Sequence, residues 1–168
     1  MISLSKKCRK IRMVLTDVDG VLTDGGVYYT KEGDVMKKFH IRDGMGVTLL
    51  RRRDIPTIIV TKEKTEIVRQ WASKMKIEKV YDGILQKETL IDIICQKNKI
   101  GSDEIAYIGD DINDVELLKK VGLPVVPNNA TIEAKKVAHY VCKAKGGFGA
   151  FRELADLILL NIDKDLIR

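Results

Sequence analysis

The sequence predicts a single α/β domain over residues 1–168: a parallel sheet with helices on both faces and one β-hairpin projecting from it. Two patterns carry this expectation. Short apolar runs alternate with longer amphipathic ones, the rhythm of βαβ units. Residues 25–39 break that rhythm with two β-rich runs around a Lys31-Glu32-Gly33-Asp34 turn.

Strands are expected over 11–16, 57–60, 79–81, 105–108, 124–126 and 139–141, where apolar residues run together and polar or Gly residues close the run. Helices are expected over 44–52, 65–75, 87–98, 114–121, 131–136 and 149–160. The hairpin follows from its turn chemistry: Gly25-Gly26 opens a Val-Tyr-Tyr-Thr run, and residues 35–39 return the chain. No repeat, low-complexity tract or linker calls for a second domain.

Composition narrows the function classes. A hydrophobic content of 45% with 32% charged residues describes a soluble globular chain. No apolar run nears the ~18–20 residues of a membrane span, and the basic N-terminus is too short in apolar residues for a signal peptide. Cys8, Cys95 and Cys142 are scattered and odd in number, which suits a reducing compartment and a cytoplasmic protein. The net charge of +6 comes from Lys and Arg interleaved with acids, apart from short runs at 6–12 and 51–53. Without an aromatic-spaced basic stripe, that charge reads as solvated helix faces and attraction for an anionic substrate, not as a nucleic-acid groove.

Four segments carry chemistry. The first strand ends in Asp17-Val18-Asp19-Gly20. In an open α/β sheet ligands bind beyond the C-terminal strand ends, and two carboxylates there need a cation or a shared proton between them. An oxygen-ligated Mg²⁺ fits. The second strand ends at Thr61, whose hydroxyl is free for a phosphoryl oxygen because Thr65 is the expected cap of the next helix. Lys87 opens a helix, where the positive dipole end disfavours a cation unless an anion is present. The run Gly109-Asp110-Asp111-Ile112-Asn113-Asp114 follows another strand, with Asn113 as helix cap, Glu116 closing a capping box, and Asp114 in the first turn.

In the order Asp-x-Asp, Thr, Lys, Gly-Asp-Asp-x-x-Asp, these residues resemble the haloacid dehalogenase superfamily of phosphotransferases. The segments TDVDGVLTDGG (16–26), FHIRDGMG (39–46), AYIGDDINDVELLKKVGL (106–123) and KGGFGAFRELADLIL (145–159) look more specifically like its sugar-acid phosphatase branch. That branch covers 3-deoxy-manno-octulosonate 8-phosphate phosphatases, nonulosonate 9-phosphate phosphatases and the C-terminal domain of some acylneuraminate cytidylyltransferases.

The resemblance implies a Rossmann-like fold and a Mg²⁺-dependent phosphomonoester hydrolase that works through an aspartyl-phosphate. Asp17 would be the nucleophile and Asp19 the general acid/base. Mg²⁺ would be held by Asp17, the Asp19 carbonyl and Asp110, with Asp111 and Asp114 in support. Thr61 and Lys87 would bind the phosphoryl group, and Arg42, Asp43, Gly44 and Thr48 would contact the substrate. The 41 residues between Asp19 and Thr61, and the 22 between Lys87 and Asp110, leave no room for a cap domain. Related proteins are tetramers associated through their hairpins, which implies a homotetramer here, with residues 146–149 reaching a neighbour's site.

The chain departs from the octulosonate pattern at Lys62-Glu63, Trp71 and Phe148, where basic or small residues are usual. Glu63, with Lys74 eleven residues on and expected on the same helix face, points to a nonulosonate 9-phosphate; the octulosonate 8-phosphate is the alternative. A receiver domain would carry its acidic pair first, not last. A non-catalytic assembly domain would have no need of Asp17, Asp19, Thr61, Lys87 and Asp110 together.

Overall fold

The computed structural model describes residues 3–162. In chain order it holds α1 (Leu4–Lys10), β1 (Met13–Thr16), β2 (Tyr28–Thr30), β3 (Gly33–Met36), α2 (Ile41–Arg51), β4 (Thr57–Val60), α3 (Glu66–Lys74) and β5 (Lys79–Tyr81). There follow α4 (Ile91–Asn98), β6 (Ile105–Ile108), α5 (Val115–Lys120), β7 (Leu123–Val126), α6 (Ile132–Val137), β8 (Tyr140–Val141) and α7 (Ala150–Ile162).

Six strands form one sheet in the order β5-β4-β1-β6-β7-β8, every pair parallel. This is the doubly wound arrangement expected of a Rossmann-like fold. Its physical origin is visible in β1, where all four residues are buried. Val14 packs into one core cluster while Met13 and Leu15 pack into the other, the period-2 alternation of a strand covered on both faces. The first cluster joins the sheet to α2, α3 and α7 through Val47, Leu50, Val68, Ala72, Phe151 and Leu154. The second joins it to α4, α5 and α6 through Ile91, Ile94, Leu117, Leu118 and Ala134.

The hairpin β2–β3 forms a separate antiparallel pair, with Tyr28 opposite Met36 and an irregularity between Tyr28 and Tyr29. Its base is pinned by a bridge between Thr23 and Phe39. The chain between the Asp19 and Thr61 positions is spent on this hairpin and α2, and that between Lys87 and Asp110 on α4 and β6. No cap is present among the described residues, and none of their helices is long and apolar enough to cross a membrane.

The N-terminal basic run, for which no element is expected, folds as α1, capped by Ser3. Three local expectations are corrected. The helix expected from 44 begins at Ile41. The helix expected from 87 starts as a 3₁₀ turn (Lys87–Leu90) before α4. Asn113 is not the cap before α5: Asp111 accepts from the Ile112 N–H at 2.7 Å, and Asp114 accepts from the Asp111 N–H at 3.2 Å. That box tightens the Ile112–Asp114 turn, and the helix begins only at Val115. Thr65 does cap α3, its hydroxyl accepting from Ile67 N–H at 3.2 Å, worth about 1 kcal/mol.

Candidate active site

The strand register delivers the site. Thr16 lies opposite Ile59 on one side and Ile108 on the other, so Asp17, Thr61 and Asp110 emerge together at the C-terminal edge. Strand order reverses at β1, and a cavity of about 270 Å³ opens there, lined by Asp17, Asp19, Thr61, Lys62, Glu63, Asp110, Asp111, Ile112 and Asn113.

Beyond β1 the chain turns sharply, with the Val18 carbonyl accepting from the N–H groups of Val21, Leu22 and Thr23. Gly20 sits in this turn at φ +82°, and a Cβ there would lie 2.0 Å from Asp110 Oδ2. Only glycine lets the Asp17 loop approach the Asp110 loop this closely. From the other side Gly146 presses on the same turn: a Cβ on it would lie 1.7 Å from the Gly20 carbonyl, and Gly147 N–H donates to Val21 O at 2.9 Å. Residues 146–147 are therefore packed onto their own chain's catalytic loop. Phe148 alone stays half-exposed, with the Lys38 ammonium 4.4 Å from its ring centre.

Asp17, Asp110 and Asp114 bring carboxylate oxygens within 4.8 Å of one another. Lys87 is fully buried beneath them, 2.7 Å from Asp17 Oδ2 and 2.6 Å from Asp114 Oδ1. Burying an ammonium costs several kcal/mol unless it is well paired, and here two carboxylates meet it. Burial pulls the Lys87 pKa down, but Asp17 and Asp114 outweigh that and the net shift is upward. Tyr107, fully buried in β6, donates its hydroxyl to the same Asp114 oxygen.

The other Asp114 oxygen accepts from Asp110 N–H at 2.8 Å and Asp111 N–H at 3.2 Å. All of its acceptor capacity is engaged, so Asp114 anchors the loop and Lys87 rather than presenting a free ligand atom. Asp110 is the opposite case: its Oδ1 is buried with no hydrogen-bond partner. Burial first, then the nearby Asp17, Asp114 and Asp111, push its pKa up to about 8. Asp17 is raised to about 6 by burial, with Lys87 opposing and Asp114 adding to the shift.

Asp19 faces Lys37, whose ammonium lies 2.7 Å from Asp19 Oδ1 and 3.5 Å from Asp34. Among the carboxylates of Asp17, Asp19, Asp110 and Asp114, two cations, Lys37 and Lys87, thus stand at ion-pair distance, leaving an excess of negative charge that a divalent cation would offset. An oxygen-only donor set with an orphaned buried carboxylate oxygen suits a hard ion.

Of the other expected contacts, Thr61 is buried at the cavity wall. Lys87 does not line the cavity; it lies behind Asp17. Gly44, Thr48 and Lys74 line a different cavity of about 450 Å³ with Phe39, His40 and Trp71. Glu63 and Lys74 do not share a helix face as expected, because α3 starts only at Glu66 and Glu63 lies in the loop before it. Arg42 is exposed, whereas Asp43 is fully buried and accepts from the Arg152 N–H at 2.8 Å. Asp43 therefore ties α2 to the start of α7 through Oδ1. Trp71 stacks on Phe39, ring centres 4.6 Å apart.

Sequence reasoning missed Tyr107, Lys37 and Gly20. A tyrosine within an otherwise apolar strand was the available signal for the first, since a buried hydroxyl needs a partner. Nothing local distinguishes Lys37 from Lys38 beside it.

Comparison with known proteins accords with this geometry. The haloacid dehalogenase-like hydrolase family model matches residues 51–149. The chain belongs to that family, in its sugar-acid phosphatase branch, and is a phosphomonoester hydrolase. Among its relatives, the 3-deoxy-D-manno-octulosonate 8-phosphate phosphatase of Haemophilus influenzae is 35% identical over 156 residues, 93% of this chain and 87% of that protein. The enzyme of the same name from Yersinia pestis is 37% identical over 164 residues, 95% of this chain and 85% of its own length. The octulosonate 8-phosphate phosphatase of Moraxella catarrhalis, solved with magnesium, phosphate and a KDO molecule, superposes with a TM-score of 0.91 at 31% identity, covering 94% of this chain and 91% of that one.

Proposed function

We propose that the whole chain acts as one uncapped phosphatase domain that hydrolyses 3-deoxy-D-manno-octulosonate 8-phosphate through an aspartyl-phosphate on Asp17. The convergence of Asp17 and Asp110 over the buried Lys87 carries the reaction class. The relatives, similar over more than nine-tenths of the chain, favour the eight-carbon substrate.

In this reading an Asp17 oxygen attacks phosphorus while the bond to the sugar oxygen breaks, and Asp19 gives its proton to the departing alkoxide. Asp19 then takes a proton from the water that attacks the aspartyl-phosphate, releasing phosphate and restoring Asp17. Lys87 holds Asp17 from behind and lies beside the ester once it forms, while Thr61 offers its hydroxyl to a phosphoryl oxygen. Mg²⁺, held by Asp17, Asp110 and the Asp19 carbonyl, with Asp114 and Asp111 fixing the loop, would offset the charge on the phosphoryl oxygens.

A second reading keeps a nonulosonate 9-phosphate as the preferred substrate, and Glu63 on the wall of the catalytic cavity favours it. The kcat/KM ratio for the two substrates decides. The eight-carbon ester is expected to be the better one, and Glu63→Arg to raise its advantage by about tenfold by removing the carboxylate that favours the nine-carbon ester. A wild-type ratio favouring the nine-carbon ester would transfer the assignment.

The same proposal includes a homotetramer and a cytoplasmic site of action; the three free thiols accord with the latter. Tyr28, Tyr29, Val35 and Met36 are all at least half-exposed on the hairpin, an apolar surface suited to a second copy. Light scattering is expected to give four chains per particle, and Tyr29→Lys with Met36→Lys to break it. A fully active monomer at assay concentration would remove this part of the reading.

A further inference from the structure

The two oxygens of Asp19 are in different situations. Oδ1 lies 2.7 Å from the Lys37 ammonium, with the Thr23 hydroxyl 3.3 Å away. Oδ2 is enclosed and has no hydrogen-bond partner, on a side chain that forms part of the catalytic cavity wall. The Lys37 side chain is itself only 1% exposed, so its position is set by packing and not by solvent. Its other ion-pair partner is Asp34 on β3, at 3.5 Å. At 2.7 Å the ammonium dominates the hold on Oδ1, since a hydroxyl at 3.3 Å is a weak bond.

We propose that Lys37 is a positioning residue for proton transfer: it pins Asp19 Oδ1 so that Oδ2 is the oxygen that delivers and receives the proton. This rests on Asp19 being the general acid/base. A carboxylate free to rotate about its last side-chain bond offers either oxygen at varying distance. An ammonium clamp on one oxygen removes that freedom and fixes the other. Lys37 immediately follows β3, so the clamp also makes the seating of the hairpin a condition for correct aim. The proton balance is that of the reaction above: Asp19 Oδ2 loses its proton to the alkoxide as the bond from phosphorus to oxygen breaks, and regains one from the attacking water.

Leaving-group dependence tests this in the full chain. The octulosonate 8-phosphate releases an alkoxide that needs a proton, whereas p-nitrophenyl phosphate releases a stable phenolate that does not. Lys37→Met keeps the length and apolar stem of the side chain and removes the clamp. It is expected to lower kcat on the alkyl ester by ~30–100-fold, with KM little changed, while first-turnover release of p-nitrophenolate slows less than about threefold. Lys37→Arg should restore most of the alkyl activity. Asp19→Asn is the control and should show the same split more strongly.

If Asp19→Asn shows the split and Lys37→Met slows both esters equally, Lys37 only anchors the hairpin and the proposal is overturned while the role of Asp19 stands. If Asp19→Asn shows no split, the acid/base reading itself fails and takes the proposal with it. Should Lys37→Met not fold, Lys37→Gln serves, with the same split expected and a uniform loss again overturning the idea.

Discussion

Replacing Asp17 with Asn is expected to lower turnover by at least about four orders of magnitude, ~5.5 kcal/mol of barrier, while the protein folds at least as well as before. The amide cannot form the phosphoryl ester, and the carboxylates nearest to it have other engagements. Asp19 is held by Lys37, Asp114 is engaged on every side, and Asp110 is the candidate metal ligand. Stability should move the other way. Asp17 is raised to about 6, chiefly by burial, so at pH 8 without metal its charge costs the folded state roughly 1–3 kcal/mol relative to the unfolded chain. Lys87 loses one charged partner in the mutant but keeps Asp114 at 2.6 Å, and the amide oxygen can still accept from it. Steady-state assays and thermal melting in chelator at pH 8 check both halves. Activity within tenfold of wild type would remove Asp17 as nucleophile, and a large loss of Tm would show that its charge is needed to hold Lys87.

The sheet was legible because its central strands are buried on both faces. Ile58-Ile59-Val60 and Ile105-Ala106-Tyr107-Ile108 show no polar alternation to confuse them with surface segments. Helix starts were harder to read. In α2 Gly44 and Gly46 weaken the helical signal for a tertiary reason: a Cβ on Gly46 would meet Arg152, Ala155 and Phe151 of α7 at 3.2–3.3 Å. The close packing of two helices thus obscured where one of them starts. α1 has a single buried residue, Cys8, so no apolar stripe marks it. At the site, the acids announced themselves by standing at strand ends. Their division of labour did not, because it depends on which carboxylates meet the buried Lys87, contacts made across 27 or more residues of chain. The substrate expectation built on Glu63 and Lys74 assumed one continuous helix, and the break before Glu66 undoes that geometry.

Removing Mg²⁺ is expected to abolish activity and to uncover a stability that falls with pH. Asp110 is raised to about 8 and Asp17 to about 6, against a usual carboxylate value of 3.8. Between these limits the metal-free folded chain holds protons that the unfolded chain has already released. The sign follows: with more protons on the native state, unfolding free energy decreases as pH rises from about 4 to 8, and the native state is favoured at the acid end. Mg²⁺ competes with the same protons, so it binds weakly where Asp110 is protonated and tightly where it is not. The stabilisation by Mg²⁺ should therefore be small at pH 5 and grow to roughly 3 kcal/mol at pH 8, a rise in Tm of about 6–12 °C for a domain of this size. Asp110→Asn should remove most of the pH slope, most of the Mg²⁺ response and nearly all turnover together, because one orphaned carboxylate oxygen underlies all three. Melting curves at pH 5, 6, 7 and 8, with chelator and with Mg²⁺, for wild type and Asp110→Asn, make the test. A Mg²⁺ response independent of pH, or one that survives in Asp110→Asn, would place the ion elsewhere, and full activity after exhaustive chelation would remove it from the mechanism.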